Sequence, residues 1–254
     1  MASDLGVVLR TTPLRESDLL VVLCTSEHGK ISAVARGGRK SQRRFAGTLQ
    51  LLVLGRYQLA RSRGELWTLE AGDVVRDWTQ LASDVVAVAH ASYIAELAGA
   101  LLPTEQPEPA ALDLVVALWD SLADGGPSPA ALRATELALL ELAGHQPALD
   151  ACAACGRADV AGGVFDPTRG GAICRACAAT SRGPDVRPLA AGTLAYLRAV
   201  AGAGASADVR AVDAAFDASD RIAAREALVG MVVGLVGKPL KSLEYIAKLA
   251  RSKL

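Results

Sequence analysis

The chain has 254 residues, of which 51% are hydrophobic and 21% are charged, and its 27 basic and 27 acidic side chains cancel. This length suits one large domain or two to three smaller ones, and the apolar content excludes a disordered chain. The longest apolar runs are short or are interrupted by His90 and Glu96, and the N-terminus lacks a basic-then-apolar signal segment. The sequence therefore predicts a soluble cytoplasmic protein.

The zero net charge conceals a separation of charge along the chain. Residues 30–63 contain nine basic side chains and no Asp or Glu. Residues 81–150 contain ten acids and the single base Arg133, and residues 238–254 contain five bases and one acid. Because local fields steer polyanions whatever the total charge, the first of these regions is a candidate polyanion-binding surface.

Five short apolar runs in the first eighty residues predict a β-rich domain. They are rich in Val, Ile and Leu, and turn signals such as Pro13 and His28-Gly29 separate them. The runs cover residues 5–11, 19–25, 30–36, 48–60 and 65–70. Strands this closely spaced favour a small barrel of the oligonucleotide-binding (OB) type, with an SH3-like barrel as the nearest alternative.

From residue 81 the apolar pattern changes to that of α-helices. The third predicted helix has Ser128 as its N-cap and Pro129 at its first position. The predicted helices cover residues 81–102, 112–122, 129–142, 189–200, 208–216, 221–236 and 243–249. The prediction is an α+β multidomain protein with a barrel domain (1–80), a helical domain (81–148 and 184–254) and an inserted module (149–183).

Four cysteines in the inserted module have the spacing of a metal site. Cys152 and Cys155 form one Cys-x2-Cys pair, and Cys174 and Cys177 form a second pair eighteen residues later. Two such pairs place four thiolates around one Zn²⁺ ion. A redox dithiol typically has a single pair, and a disulfide framework requires a secreted chain. The sequence therefore predicts one structural zinc ion, whereas Cys24, in an apolar run, is interpreted as a buried hydrophobic residue.

The nine bases of residues 30–63 are the predicted DNA-binding residues. They are Lys30, Arg36, Arg39, Lys40, Arg43, Arg44, Arg56, Arg61 and Arg63. Such side chains neutralise phosphates without reading base sequence. Phe45, Tyr57 and Trp67 are candidate stacking platforms, although packing inside the barrel is the more common role for each. A solvated basic surface is the alternative interpretation of the whole region.

No catalytic constellation is recognisable in the sequence. The three histidines are scattered, the carboxylates form no two-metal cluster, and four thiolates leave no open position on a zinc ion. The chain is therefore predicted not to be an enzyme.

The order of several motifs resembles the RecO family of bacterial recombination mediators. Two of them are Thr25-Ser26-Glu27-His28-Gly29-Lys30-Ile31 and Ala35-Arg36-Gly37-Gly38-Arg39-Lys40. A third is Gly144-His145-Gln146-Pro147, which leads into Cys152-Ala153-Ala154-Cys155-Gly156. Shorter similarities lie at residues 7–10, 15–20, 49–50, 91–97 and 170–174. Each motif is modest, but their order along one chain is specific.

The resemblance implies DNA repair by homologous recombination in the RecFOR pathway. It implies binding of single- and double-stranded DNA, annealing of complementary strands, and loading of recombinase with RecR onto DNA coated by single-stranded DNA-binding protein (SSB). It also implies a nucleoid-associated protein in the cytoplasm, without a membrane or a small-molecule substrate. The acidic SSB tail is expected on the helical domain, where Arg133 is the candidate cation and a solvent-facing helix residue is the alternative. A protein–protein adaptor with incidental DNA binding is the alternative function.

Overall fold

The computed structural model describes residues 2–62, 64–206 and 208–252. Five strands form a closed N-terminal barrel: β1 (Ala2–Pro13), β2 (Leu19–Thr25), β3 (Gly29–Ala35), β4 (Val53–Arg61) and β5 (Trp67–Asp77). Their order around the barrel is β1-β2-β3-β5-β4, and β4 returns to β1. All neighbours are antiparallel except β3 and β5. The barrel is consistent with the predicted OB fold.

The rest of the described chain is mainly helical, which confirms the predicted α+β class. The helices are α1 (Gln42–Phe45), α2 (Val85–Leu101), α3 (Pro109–Gly125), α4 (Pro129–Leu142), α5 (Arg175–Ala178), α6 (Ala191–Ala203), α7 (Val209–Ala215), α8 (Ala218–Val236) and α9 (Lys241–Ser252). A small sheet is formed by β6 (Gly163–Asp166), β7 (Gly171–Ile173) and β8 (Arg187–Leu189), with β6 in the centre. Among the described helices, none combines the length and the apolar character that crossing a bilayer requires.

The chain contacts divide the protein into two compact units. One unit is Met1–Gly126 with Lys241–Leu254, and the other is Pro127–Leu240. The barrel therefore shares a compact unit with α2, α3 and α9, whereas the cysteine module shares the other with α4 and α6 to α8. The predicted domain boundaries follow secondary structure and not contacts, and they stay a prediction.

The barrel interior is filled by alternate residues of the strands. In β3, Ile31, Ala33 and Ala35 are buried and the residues between them are half-buried, as the two-residue period of a strand requires. Phe45, Tyr57 and Trp67 all lie in this core, so the interior role of the aromatics is confirmed. The Tyr57 hydroxyl donates a hydrogen bond of 2.8 Å to the carbonyl of Thr48, which satisfies its one buried polar group.

Helices α2 and α3 cover the outer side of β1 and β2. Val7, Leu9, Val22 and Cys24 alternate with the inward residues of these strands, yet they are buried as well. The covering elements are α2, which contacts β1 and β2, and α3, which contacts β2. Cys24 is the buried hydrophobic residue that the sequence predicts, and burial raises the pKa of its thiol to about 12. Within this unit, α2 and α3 therefore occupy part of the outer face of β1 and β2.

The C-terminal helix α9 is attached to α2 by a carboxylate far away in the sequence. Glu96 in α2 accepts hydrogen bonds from the backbone N–H groups of Lys241 (3.1 Å) and Ser242 (2.9 Å) and from the Ser242 hydroxyl (2.6 Å). The first N–H groups of a helix have no intrahelical partner, and a negative charge there also interacts favourably with the helix dipole. Glu96 thus caps α9 across 145 residues of sequence.

Replacing Glu96 with Ala should weaken the attachment of α9. Loss of a capping side chain costs about 1 kcal/mol of the free energy of unfolding. Hydrogen exchange of the α9 amides should therefore become faster, and the melting temperature should fall by about 2–4 °C. The matched control is Glu108→Ala, because Glu108 precedes α3 without making a side-chain cap. Equal α9 protection in both variants would contradict the capping role.

Candidate nucleic-acid interface and metal site

Five exposed cations lie together between β3 and the end of α1. We call residues 36–44 the basic segment; its cations are Arg36, Arg39, Lys40, Arg43 and Arg44. Within the part of the chain that the structure describes, no carboxylate forms an ion pair with any of the four arginines. The segment therefore presents a positive potential that nearby charges do not cancel.

The backbone of the basic segment is held against the turn between β1 and β2. The N–H of Gly37 donates to the Asp18 carboxylate (2.8 Å), and the N–H of Arg39 donates to the Ser17 carbonyl (3.0 Å). The Arg39 guanidinium donates to the Glu16 carbonyl (3.1 Å). Gly37 has a φ of 66°, a left-handed conformation that favours glycine. Two turns are thus joined into one surface at this end of the barrel.

The side chain of Arg44 is oriented by neighbours that carry no negative charge. Its guanidinium donates to the Arg36 carbonyl (2.5 Å) and lies 5.1 Å from the centroid of the Phe45 ring. Ser41 caps the short helix α1 by accepting from the N–H of Arg44 (3.4 Å). Lys40 is 4.0 Å from the exposed Glu16 carboxylate, a distance at which a surface pair contributes little. These cations remain available to phosphate oxygens.

The other predicted DNA-binding residues lie elsewhere. Arg56 is exposed in the middle of β4, where its neighbour on β5 is Asp73. Lys30 is half-buried and donates to the Gly99 carbonyl (3.1 Å), and burial, followed by the Arg10 charge, lowers the pKa of its amine. The predicted nine-residue set is therefore not one surface, and Arg63 lies outside the described residues.

Arg61 is already engaged by an acidic side chain. Its guanidinium makes two hydrogen bonds to the Glu105 carboxylate, at 2.5 and 2.9 Å, and lies 4.8 Å from the centroid of the Trp67 ring. The Trp67 indole N–H donates to the same carboxylate at 2.9 Å. A bidentate pair of this kind neutralises the cation, so Arg61 offers less to DNA than the basic segment does.

Polar contacts also fill the Gly29 end of β3, away from the basic segment. The Asp4 carboxylate is 2.8 Å from His28 Nδ1 and accepts from the Ser26 hydroxyl at 2.8 Å. Burial acts to raise the pKa of Asp4, but hydrogen bonds from His28, Ser26 and their neighbours outweigh it and lower the pKa. Gly29 adjoins residue 106 so closely that a Cβ would lie 1.8 Å from the Gln106 carbonyl oxygen. The polar groups at this end of β3 are therefore engaged in contacts within the protein.

Two arginines that the sequence analysis did not select are exposed on β1 and in the β1–β2 turn. Arg15 is exposed in the β1–β2 turn to which Arg39 is bonded, and Arg10 is exposed on β1. Arg10 lies next to Thr11, which is opposite Val21 in the antiparallel pairing of β1 with β2. The sequence signal was weak, because each arginine is isolated among apolar or acidic neighbours.

The four cysteines converge as their spacing predicts. All four Sγ atoms lie within 4.8 Å of one another, and Cys155 Sγ is 3.8 Å from Cys174 Sγ. Tetrahedral zinc with bonds of about 2.3 Å would separate its sulfurs by about 3.8 Å. Cys152 and Cys155 precede β6, whereas Cys174 and Cys177 lie at the start of and within α5. This cluster can hold one metal ion.

The electrostatics of the cluster favour a bound cation. The N–H of Cys174 donates to Cys152 Sγ at 3.3 Å, and this hydrogen bond is the largest cause that lowers the pKa of the Cys152 thiol to about 6. Hydrogen bonds with Cys155 and then Cys174 raise the pKa of the Cys177 thiol to about 12, and the negative charge of the adjacent sulfurs acts in the same direction. A divalent cation would stabilise all four sulfurs in their deprotonated form, and four sulfur ligands suit zinc.

Short turns bring the two cysteine pairs together. Strands β6 and β7 form a hairpin in which Phe165 is opposite Ala172. A Cβ at Gly163 would lie 1.9 Å from the carbonyl oxygen of Ile173, so the hairpin requires glycine there. Gly170, with φ of 78°, ends the connecting turn. These glycines therefore shape the metal site.

Arg133 lies inside the second compact unit. It is 4% exposed and forms a 3.0 Å ion pair with Glu136, which is 0% exposed. The alternative of a solvent-facing helix residue is therefore wrong. A buried and paired guanidinium is also not accessible to a docked acidic tail in this conformation, and the partner-binding role of Arg133 stays a prediction.

Comparisons with known proteins agree along most of the chain. The family model "Recombination protein O N terminal" matches residues 1–78, and "Recombination protein O C terminal" matches residues 82–244. The chain is 42% identical to "DNA repair protein RecO" of Anaeromyxobacter sp. (strain K) over 249 residues, 95% of this chain and 94% of the relative. Identity is 40% to the protein of that name from Symbiobacterium thermophilum (76% and 77% covered) and 34% to that from Geobacter sulfurreducens (96% of each).

Proposed function

Because the chain belongs to the RecO family of DNA repair proteins, we propose that it binds single- and double-stranded DNA and anneals complementary strands. It helps to load recombinase, together with RecR, onto DNA coated by SSB. The observation that carries the DNA-binding part is the basic segment, with five exposed cations on a backbone anchored to the β1–β2 turn. The proposed site of action is the cytoplasm, at the nucleoid.

Annealing of this kind is an electrostatic and positioning task. Two complementary strands repel each other through their phosphates, and cations on a protein release the condensed counterions and reduce that repulsion. The basic segment supplies such cations without a partner carboxylate on its arginines among the described residues. No step of the proposed activity requires a nucleophile or a general base.

The acidic helices restrict where DNA can bind in the barrel's unit. Helices α2 and α3 contain Glu96, Asp113, Asp120 and Asp124, and residues 85–125 contain no Lys or Arg. Helix α9 of the same unit carries the exposed Lys241 and Lys248. We therefore infer that DNA follows the basic segment and extends towards basic residues of α9, and avoids the acidic side chains of α2 and α3.

The proposed metal is a single structural Zn²⁺ ion. Cys152, Cys155, Cys174 and Cys177 would hold it, and four thiolates leave no position for a substrate. When bound, the ion supplies cross-linking of the two cysteine pairs. The chain itself contributes the N–H of Cys174, which donates to Cys152 Sγ, and the β6–β7 hairpin, which fixes the distance between the pairs.

Strand annealing on SSB-coated oligonucleotides tests the proposed function. The protein should accelerate duplex formation between complementary coated strands at least about tenfold. This acceleration corresponds to an activation free energy that is lower by about 1.4 kcal/mol. An SSB without its acidic tail serves as the matched control, and the acceleration should decrease with it. DNA binding without any acceleration would instead favour the adaptor function.

A further inference from the structure

Two surface depressions share a lining residue, and the first of them lies beside the basic segment. The first has a volume of about 190 Å³, and its lining includes Leu19, Arg39, Lys40, Phe45, Leu49 and Gln50. The second has a volume of about 160 Å³ and lies where β1 meets α2, because its lining includes Leu9, Arg10, Gln50 and Leu51 together with Ser92 and Ala95 of α2. Gln50 belongs to both, so the two depressions form one path over the surface of the barrel's unit.

The path alternates apolar and cationic groups. Leu19 and Leu49 contribute apolar groups to the first depression, and Leu9 and Leu51 contribute them to the second. Arg39 and Lys40 lie at one end, and Arg10 lies at the other. The nearest acid that the structure pairs with these cations is Glu16, which is 4.0 Å from Lys40 and fully in solvent. Apolar groups between cations match the alternation of bases and phosphates in a nucleic-acid strand.

Gln50 stands between the two depressions with an available side-chain amide. The side chain is exposed, and it makes no hydrogen bond to the residues that the structure describes. An amide carries both donors and an acceptor, so it can pair with the polar edge of any base. The surrounding backbone is fixed, because the Tyr57 hydroxyl and the N–H of Thr48 hold the turn that precedes Gln50.

We propose that each depression accepts one unpaired base of single-stranded DNA. Gln50 contacts both bases, while Arg39 and Lys40 at one end and Arg10 at the other bind the flanking phosphates. Bases of a duplex are stacked and paired, and their edges and faces are not free to enter such depressions. This inference rests on the proposed DNA binding and deepens it: the same surface distinguishes a single strand from a duplex and holds bases unstacked before annealing.

The first test compares strands that differ only in their bases. Equilibrium binding is measured for an oligothymidylate and for a strand of the same length in which abasic sites replace four central nucleotides. The wild-type protein should bind the intact strand at least about tenfold more tightly, because base contacts typically exceed phosphate contacts alone by this margin. A 2-aminopurine at the centre of an otherwise normal strand should gain fluorescence on binding, as unstacking requires.

Substitution of two exposed glutamines tests whether the preference for the intact strand depends on the depressions. Gln50→Ala should reduce the preference for the intact strand to about threefold or less, while affinity for the abasic strand stays unchanged. Gln80→Ala is the matched control, because Gln80 is exposed in the same unit and lines neither depression. Thermal denaturation establishes that both variants are folded.

The outcomes distinguish this inference from the proposed function. Equal wild-type affinity for intact and abasic strands, or an unchanged preference in Gln50→Ala, overturns the two-base path and leaves DNA binding standing. Binding of neither strand at low salt overturns the proposed DNA binding itself. If the depressions instead bind a protein partner, the wild-type protein should bind the intact and the abasic strand with equal affinity.

Discussion

Simultaneous reversal of Arg39, Lys40, Arg43 and Arg44 to Glu should weaken single-stranded DNA binding by roughly 100-fold or more at low salt. Each cation that pairs with a phosphate contributes about 0.7 to the slope of log affinity against log salt for a single strand, so the slope should decrease by about 3. The four side chains are exposed, and three of them form no ion pair among the described residues. Fluorescence anisotropy across a salt series measures both quantities.

A control with the same change of charge tests whether the position matters. The double reversal of Arg39 and Lys40 is compared with a double reversal of Arg157 and Arg182, which are exposed in the cysteine module. Only the first pair should weaken binding strongly. Equal effects of the two pairs would show that affinity follows net charge, and unchanged affinity of the fourfold variant at moderate salt would remove the basic segment from the DNA site.

Removal of a zinc ligand should unfold the cysteine module. Structural zinc contributes on the order of 10 kcal/mol in small zinc domains, which is comparable with the whole stability of a typical protein. Cys174→Ala should therefore contain no zinc by elemental analysis, whereas the wild-type protein should contain one ion per chain. Limited proteolysis should then cut within residues 149–183, because the segments that carry the cysteines consist largely of turns.

Cys24 provides the matched control for the metal site. It is buried in the barrel and far in sequence from the four ligands, so Cys24→Ala should keep one zinc ion and protease resistance in the module. Zinc retained at full occupancy in Cys174→Ala would contradict the four-thiolate site. Loss of a catalytic activity in Cys174→Ala while the module stays folded would contradict the structural role of the metal.

Local signals predicted the elements that local chemistry determines. Ser128 accepts from the N–H of Ala131 at 3.1 Å and Pro129 begins α4, as the capping pattern indicates. The short helix α1 was not predicted, and the predicted strand at residues 48–60 begins only at Val53. Leu49, Leu51 and Leu52 resemble the apolar residues of a strand, but the tertiary structure holds residues 48–52 in a turn, where Leu52 has a φ of 64°.

The cysteine cluster could be predicted because its members are close in sequence, in two pairs that have the same Cys-x2-Cys spacing. The spacing of Cys152 and Cys155 already sets a tight turn, and only the return of the second pair depends on the hairpin. The apolar alternation of β3 likewise determined which of its residues face the barrel interior. These features depend on neighbours within a few residues.

The tertiary structure alone decided which cations share a surface. Residues 30–63 contain nine bases and no acid in the sequence, yet Lys30 donates to Gly99, Arg61 is paired with Glu105, and the basic segment remains open. The attachment of α9 to Glu96 and the burial of Arg133 beside Glu136 are further outcomes of folding. A charge is neutralised by its neighbours in space, and the partners of Lys30 and Arg61 lie tens of residues away along the chain. The sequence determined the presence of the charges, and the long-range contacts determined their availability.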